Sequence, residues 1–142
     1  MKLRDIMSRE IACLGVEDTV EKAAQLMKSY NVGSIPICTQ NSVVGIITDR
    51  DIALRATAVG DDGYLQVRKV MTANPVVGTP DMDVDDAVRL MSENQIRRLP
   101  IVENNSLVGM VSLGDISVEP RLQDDAEIAL KNISKPATNW FS

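Results

Sequence analysis

The 142-residue chain contains no histidine, which removes the commonest general base and every Ser-His or Cys-His nucleophile pair. Cysteine is almost as scarce. The two present, Cys13 and Cys38, lie in apolar runs without a CxxC spacing, so the four Cys or His ligands of a structural zinc site are missing. Both are expected to serve as small buried hydrophobes. No apolar run approaches the ~20 residues a membrane-spanning helix needs. The start, MKLRDIMSRE, carries charges where a signal peptide needs an unbroken apolar stretch, so a cytoplasmic location is expected, with no membrane partner. Positive charge is also in deficit. Fifteen Lys and Arg against 20 Asp and Glu give a net charge of −5, a field that repels polyanions and argues against nucleic acid as a partner. A local basic pocket for a small anion remains compatible with it.

What the chain has is a repeat. Met7 and Met71, Pro36 and Pro100, Gly45 and Gly109, and Asp51 and Asp115 all stand 64 positions apart. The register runs without a gap from Arg4/Arg68 to Ile52/Ile116, too regular for chance. Each copy opens with a short apolar stretch, IACLGV or PVVGTP. An amphipathic helix follows, with Thr19 or Asp83 at the N-cap and acidic residues in the first turn. Its apolar face is expected to carry Val20, Ala23, Ala24, Met27 and Tyr30 in one copy and Val84, Ala87, Val88 and Met91 in the other. Next comes a hairpin around the turns QNS and NNS. A second helix, DRDIALRATAV, stops at Gly60.

The expected fold class is therefore α/β (α+β): two β-α-β-β-α repeats packed about a pseudo-two-fold as one fused domain, since each half is small. Repeat one spans 1–59, a Gly- and Asp-rich linker 60–66, repeat two 67–118, and a C-terminal helix and tail 119–142. The extra helix, RLQDDAEIALKNIS, is expected to bury Leu122, Ile128, Ala129 and Ile133; Trp140 and Phe141 are read as frayed or docked on a partner.

Two heptads, GIITDRD at 45–51 and GMVSLGD at 109–115, end the hairpins alike. One reading is a capping box, in which the Thr48 hydroxyl accepts from the Asp51 N–H while the Asp51 carboxylate reaches back, with Ser112 and Asp115 doing the same. The other uses the helix N-terminus for a phosphate and the carboxylate for a ribose diol. Spacing alone leaves both open. The steps before the mid-repeat prolines differ: Gly33-Ser34-Ile35 in one copy, Arg97-Arg98-Leu99 in the other. Adjacent residues on a strand face opposite ways, so one arginine readily faces a given pocket, or both if the strand begins with a bulge. A solvated pair balancing an acidic surface is the competing reading.

The doubled unit, the G-h-h-[ST]-x-x-D ending and the [GR]-[SR]-h-P-[IV] step resemble a tandem pair of cystathionine-β-synthase (CBS) domains, often called a Bateman module, over about residues 3–118. The resemblance implies two clefts between the repeats that take adenosine-containing ligands: AMP, ADP, ATP or S-adenosylmethionine, with no required cofactor. It also implies homodimers and a regulated partner protein whose identity stays open. Carried over by position, one cleft uses Thr48 and Asp51, with Arg50, against Val76, Arg97, Arg98 and Leu99. The other uses Ser112 and Asp115 against Ala12, Gly33, Ser34 and Ile35. The first has the cations for a phosphorylated ligand, whereas Gly114 and Gly33-Ser34 supply none to the second. Pro120 displaces the family's helix after the second heptad. The implied activity is sensing, not catalysis. A structural dimerisation module and a magnesium-dependent nucleotide hydrolase are the alternatives, the latter without a phosphate-binding Gly-rich loop or a metal motif.

Overall fold

The computed structural model describes residues 1–136; the reading of Trp140 and Phe141 falls outside the described residues. Two apolar clusters organise two units. The first unit comprises Glu10–Pro75 with Val102–Leu107, and the second comprises Met1–Arg9, Val76–Ile101 and the chain from Val108 on.

In the first unit, helix α1 (Val20–Tyr30) starts where the Thr19 hydroxyl accepts from Lys22 N at 3.2 Å and stops at Asn31, whose positive φ of 54° ends the helix. It leads into β1 (Ser34–Thr39), antiparallel to β2 (Ser42–Thr48). Gln40 and Asn41 both take positive φ, the geometry that a two-residue hairpin turn requires. Helix α2 (Asp49–Arg55) follows, and β3 (Thr72–Ala73) adds to β2. Leu14, Val20, Ala23, Met27, Ile35, Ile37, Ile47 and Val67 form the core.

The second unit repeats the scheme. Helix α3 (Val84–Asn94) ends at left-handed Gln95, and β4 (Arg98–Glu103) pairs with β5 (Ser106–Ser112) around Asn104 and Asn105, again both at positive φ. Helix α4 (Leu113–Ser117) is a stub of 5 residues. Pro120 then opens a 3-10 turn, tolerated there because a first-turn N–H has no helical partner, and α5 (Gln123–Ile133) packs on α3. The core joins Leu3, Val84, Ala87, Val88, Met91, Leu99, Ile101 and Ile116 to Ala126, Ala129 and Ile133 of α5.

Several expectations need correction. The opening strand of each repeat shrinks to a single parallel bridge, Leu14↔Ile37 and Gly78↔Ile101, from which the ladder does not propagate. Ala24 and Tyr30 are exposed, so the α1 stripe narrows to Val20, Ala23 and Met27 with Leu26 at its edge. Ile128 is 53% exposed; Ala126 takes the inward position one turn before Leu130. Asp83 sits at its N-cap without capping, since its carboxylate pairs with Lys2 Nζ at 3.0 Å. Cys13 is exposed and Cys38 half-buried, not buried fillers. The 60–66 stretch is tied down: Leu65 O and Gly63 O accept from Val20 N and Glu21 N at 2.8 and 3.0 Å, supplying partners to the first turn of α1. Finally, each unit has its own core, and each takes its leading segment from across the repeat boundary. Leu3 N donates to Met82 O at 2.9 Å in the second unit, and Val67 N to Asp18 O at 2.8 Å in the first.

Candidate functional site

The two heptads place matching groups at the end of a strand in each unit. In the first, Thr48 Oγ1 accepts from Asp51 N and Asp51 Oδ2 accepts from Thr48 N, both at 3.0 Å. The capping box is therefore formed. It does not exhaust the groups. A hydroxyl that accepts one hydrogen bond still has its own proton to donate, and a carboxylate that uses Oδ2 still has Oδ1. Among the described residues Asp51 Oδ1 has one charged partner, Arg55 Nη1 at 4.0 Å, while the Asp51 side chain is 12% exposed. Arg50, next along α2, is exposed.

The β1–β2 register sets Ser34 opposite Thr48 and Ile35 opposite Ile47, and Asp49 N donates to Gly33 O at 2.9 Å. The mid-repeat step and the heptad end are thus neighbours in the same unit. A Cβ on Gly33 would stand 3.0 Å from Asp49 Oδ2, the far end of an exposed side chain that can turn aside. The Ser34 hydroxyl is buried without a hydrogen-bond partner among the described residues. Such an orphan costs about 1–3 kcal/mol unless something not yet bound satisfies it. Ala12 is half-buried, two residues before the Leu14 bridge.

The second unit carries the counterpart. Ser112 Oγ accepts from Asp115 N at 3.0 Å and Asp115 Oδ2 from Ser112 N at 2.8 Å; Asp115 Oδ1 has no partner among the described residues. Leu113 N donates to Arg97 O at 2.8 Å, so the arginine step lies beside this heptad end as Gly33 lies beside the other. Arg97 is exposed and Arg98 half-buried, and neither side chain forms a hydrogen bond or ion pair among the described residues. Val76 is half-buried, two residues before the Gly78 bridge. Ile35 and Leu99 differ from the other candidates. At 1% and 0% exposure their side chains belong to the cores, so any contact with a ligand is made through their main chains.

One feature had no sequence signal. Helices α3 and α5 flank an open groove of about 860 Å³ lined by Asp85, Val88, Ser92, Asp125, Ile128 and Lys135. Burial, and then the facing Asp85 carboxylate, raise the Asp125 pKa, and the Ser92 hydroxyl is buried without a partner. Its residues come from separate helices whose docking no local pattern announces.

The CBS domain pattern matches residues 3–56 and 67–119 of the chain. The CBS domain-containing protein YhcV of Bacillus subtilis (strain 168) is 48% identical over 132 residues, 93% of this chain and 94% of that protein. Among solved structures, Hypoxic Response Protein I with two coordinated zinc ions superposes with a TM-score of 0.78 at 30% identity, covering 84% of this chain and 98% of that one. The CBS domain pair of protein MJ0100, in complex with 5-methylthioadenosine and S-adenosyl-L-methionine, gives a TM-score of 0.73 at 28% identity over 82% of this chain and 93% of that one.

Proposed function

The chain belongs to the CBS domain family, and we propose that it is a regulatory sensor of an adenosine-containing compound, without catalytic activity. The observation that carries this reading is the twinned heptad end: a hydroxyl with a proton to donate, a carboxylate oxygen left to accept, and a helix start, in both repeats at one register. That is the complement of a phosphate next to a ribose diol. The neighbour MJ0100, solved with two adenosyl compounds, supports the ligand class.

In this reading Thr48, Asp51 and Arg50 act with Val76, Arg97, Arg98 and Leu99 on one ligand, a phosphorylated one such as AMP, ADP or ATP. Asp51 Oδ1 takes the ribose hydroxyls, and Arg97 and Arg98, cations without a protein partner, take the phosphates. Ser112 and Asp115 act with Ala12, Gly33, Ser34 and Ile35 on a second, less anionic adenosyl ligand such as S-adenosylmethionine, which would satisfy the Ser34 hydroxyl. A partner protein reads the outcome only if the ligand binds two conformations unequally. Helix α2 buries no side chain and leaves Leu54 52% exposed, and Val59 in the 3-10 turn after it is 72% exposed, which supports self-association through this face.

A thermal-shift panel of AMP, ADP, ATP, NAD and S-adenosylmethionine tests the proposal. A true ligand at a hundred times its dissociation constant stabilises by about 2.7 kcal/mol. No shift with any of them leaves only the dimerisation module, and release of phosphate from magnesium-ATP would revive the hydrolase. Calorimetry on Arg97→Ala/Arg98→Ala is expected to show nucleotide affinity falling roughly tenfold or more, since each charge-assisted hydrogen bond contributes about 1.5–3 kcal/mol. Asp51→Asn should weaken binding while leaving thermal stability nearly intact.

A further inference from the structure

The two cysteines did not take the role of buried filler, and their placement has a chemical consequence. The Leu14↔Ile37 bridge is held from both sides: Leu14 N donates to Pro36 O at 3.1 Å and Cys38 N to Leu14 O at 2.8 Å. Leu14 and Ile37 are 2% and 0% exposed, so both turn into the core. Side chains alternate along extended chain, so the flanking Cys13 and Cys38 share the opposite face. The β1–β2 ladder slips between Ile37 and Cys38, but the extra residue, Val44, lies in β2, so the alternation of side chains along β1 runs through Cys38. Cys13 is exposed and Cys38 half-buried.

We propose that Cys13 and Cys38 form a reversible intramolecular disulfide, a modification site in the first unit with an exposed attacking thiol and a sheltered resolving one. Other features agree. The Cys38 thiol is pushed up to about 11, first by burial and then by the neighbouring Cys13 thiol, so the two sense each other and Cys38 is held as a thiol at neutral pH. In the second repeat the same positions, 64 residues on, are Val77 and Val102. Packing at this place is therefore met by small apolar side chains, and the thiols add reactivity that packing does not require.

The chemistry needs an oxidant, here a low-molecular-weight disulfide. The Cys13 thiolate attacks one sulfur of that disulfide, forming a mixed disulfide and releasing one thiol. Cys38 then loses its proton and attacks the Cys13 sulfur, which forms the Cys13–Cys38 bond and releases the second thiol. Two protein thiols are oxidised and one small disulfide is reduced to two thiols. The cross-link closes a ring around α1 and ties the segment bearing Ala12 to the strand bearing Ser34 and Ile35. An effect on ligand binding would rest on the reading above; the cross-link itself does not.

The test is to treat the reduced full-length chain with glutathione disulfide and follow free thiols, intact mass, peptide map and melting temperature. The expected result is loss of both thiols and of the mass of two hydrogen atoms within one chain, a rise in melting temperature, and full reversal by dithiothreitol. The closing step should accelerate as pH rises, because Cys38 must deprotonate. Cys38→Val, the residue type of the second repeat, should stop at a glutathione adduct on Cys13, and Cys13→Val should stay unmodified. The proposal is overturned if the native chain also stops at the Cys13 adduct, keeps both thiols free, or links only to a second chain. Because these readouts involve no nucleotide, they stand or fall apart from the sensor reading.

Discussion

Leu14 of the first unit and Gly78 of the second occupy one register position, and the exchange of leucine for glycine is offset in part elsewhere. Leu14 is core, with Val67 nearby in the same cluster. In the second unit Gly78 leaves room that Leu3 enters: a Cβ on Gly78 would stand 2.9 Å from Leu99 Cδ2 and 3.1 Å from Leu3 Cδ1. Leu3 is itself the counterpart of Val67, 64 positions earlier. Leu3 in place of Val67 adds one carbon where Gly78 in place of Leu14 removes four, so the second unit fills this place with smaller side chains and brings Leu99 and Leu3 against the Gly78 backbone. Both positions meet only because each unit takes its leading segment from beyond the repeat boundary.

That trade can be broken directly. Leu3→Ala and Leu14→Ala should each cost about 2–5 kcal/mol in urea denaturation. Leu3→Ala should be the worse of the two, because glycine beside it has no side chain to relax into the void. Equal costs would mean that the second core collapses as freely as the first.

A second contrast concerns the glycines that open the heptads. Gly45 lies under Met71 and Gly109 under Met7, again with each methionine drawn from across the repeat boundary. A Cβ on Gly109 would also meet Ser8 O, a main-chain atom, at 3.2 Å, whereas the three atoms nearest a Cβ on Gly45 all belong to the flexible Met71 side chain. Gly109→Ala is expected to lose about 1–3 kcal/mol and Gly45→Ala less, since methionine can swing away. Thermal melts of the two variants decide it, and the reverse order would remove the close-approach argument.

The smallest contrast is electrostatic. The Asp18 carboxyl is held below its ordinary value of 3.8, first by the Gly15 N–H it accepts from and also by Lys22, against an opposing push from burial. Its stabilisation is complete above the unfolded value and fades as pH falls through the lower folded one. Asp125 runs the other way, raised by burial and Asp85, so its ionised form penalises the folded state at neutral pH and the penalty lifts as pH drops through the raised folded value. Asp125→Asn should therefore raise the melting temperature slightly at neutral pH, by no more than about 0.5 kcal/mol of stability. The gain should vanish in acid; a gain that persisted there would point to packing.

Much of this was legible residue by residue. The offset between repeats, the Thr19 cap, the two Asn-bearing turns and the hydroxyl-carboxylate caps are governed by contacts a few positions apart, and each was found as expected; the second helix, expected to run to Gly60, ends at Arg55, and Gly60 closes a separate 3-10 turn. The same locality explains the failures. Asp83 has the right type for a cap, but Lys2, from across the repeat boundary, claims it. Ala24 and Tyr30 have suitable spacing, yet both stay exposed. Of the candidate site, the hydroxyls, carboxylates and arginines could be named from sequence, whereas the inward turn of Ile35 and Leu99 and the orphaned Ser34 hydroxyl could not.

The doubled pattern, the order of helices and hairpins, and the polar ends of β2 and β5 follow from the chain alone, because hydrogen bonds and periodic burial act over short separations. Which leading segment joins which core, which flanking residues share a face with Cys13 and Cys38, and which side chains stay without a partner depend on closing loops of tens of residues. Those choices are made by packing, where the volume left by one residue is filled by another far away in the chain.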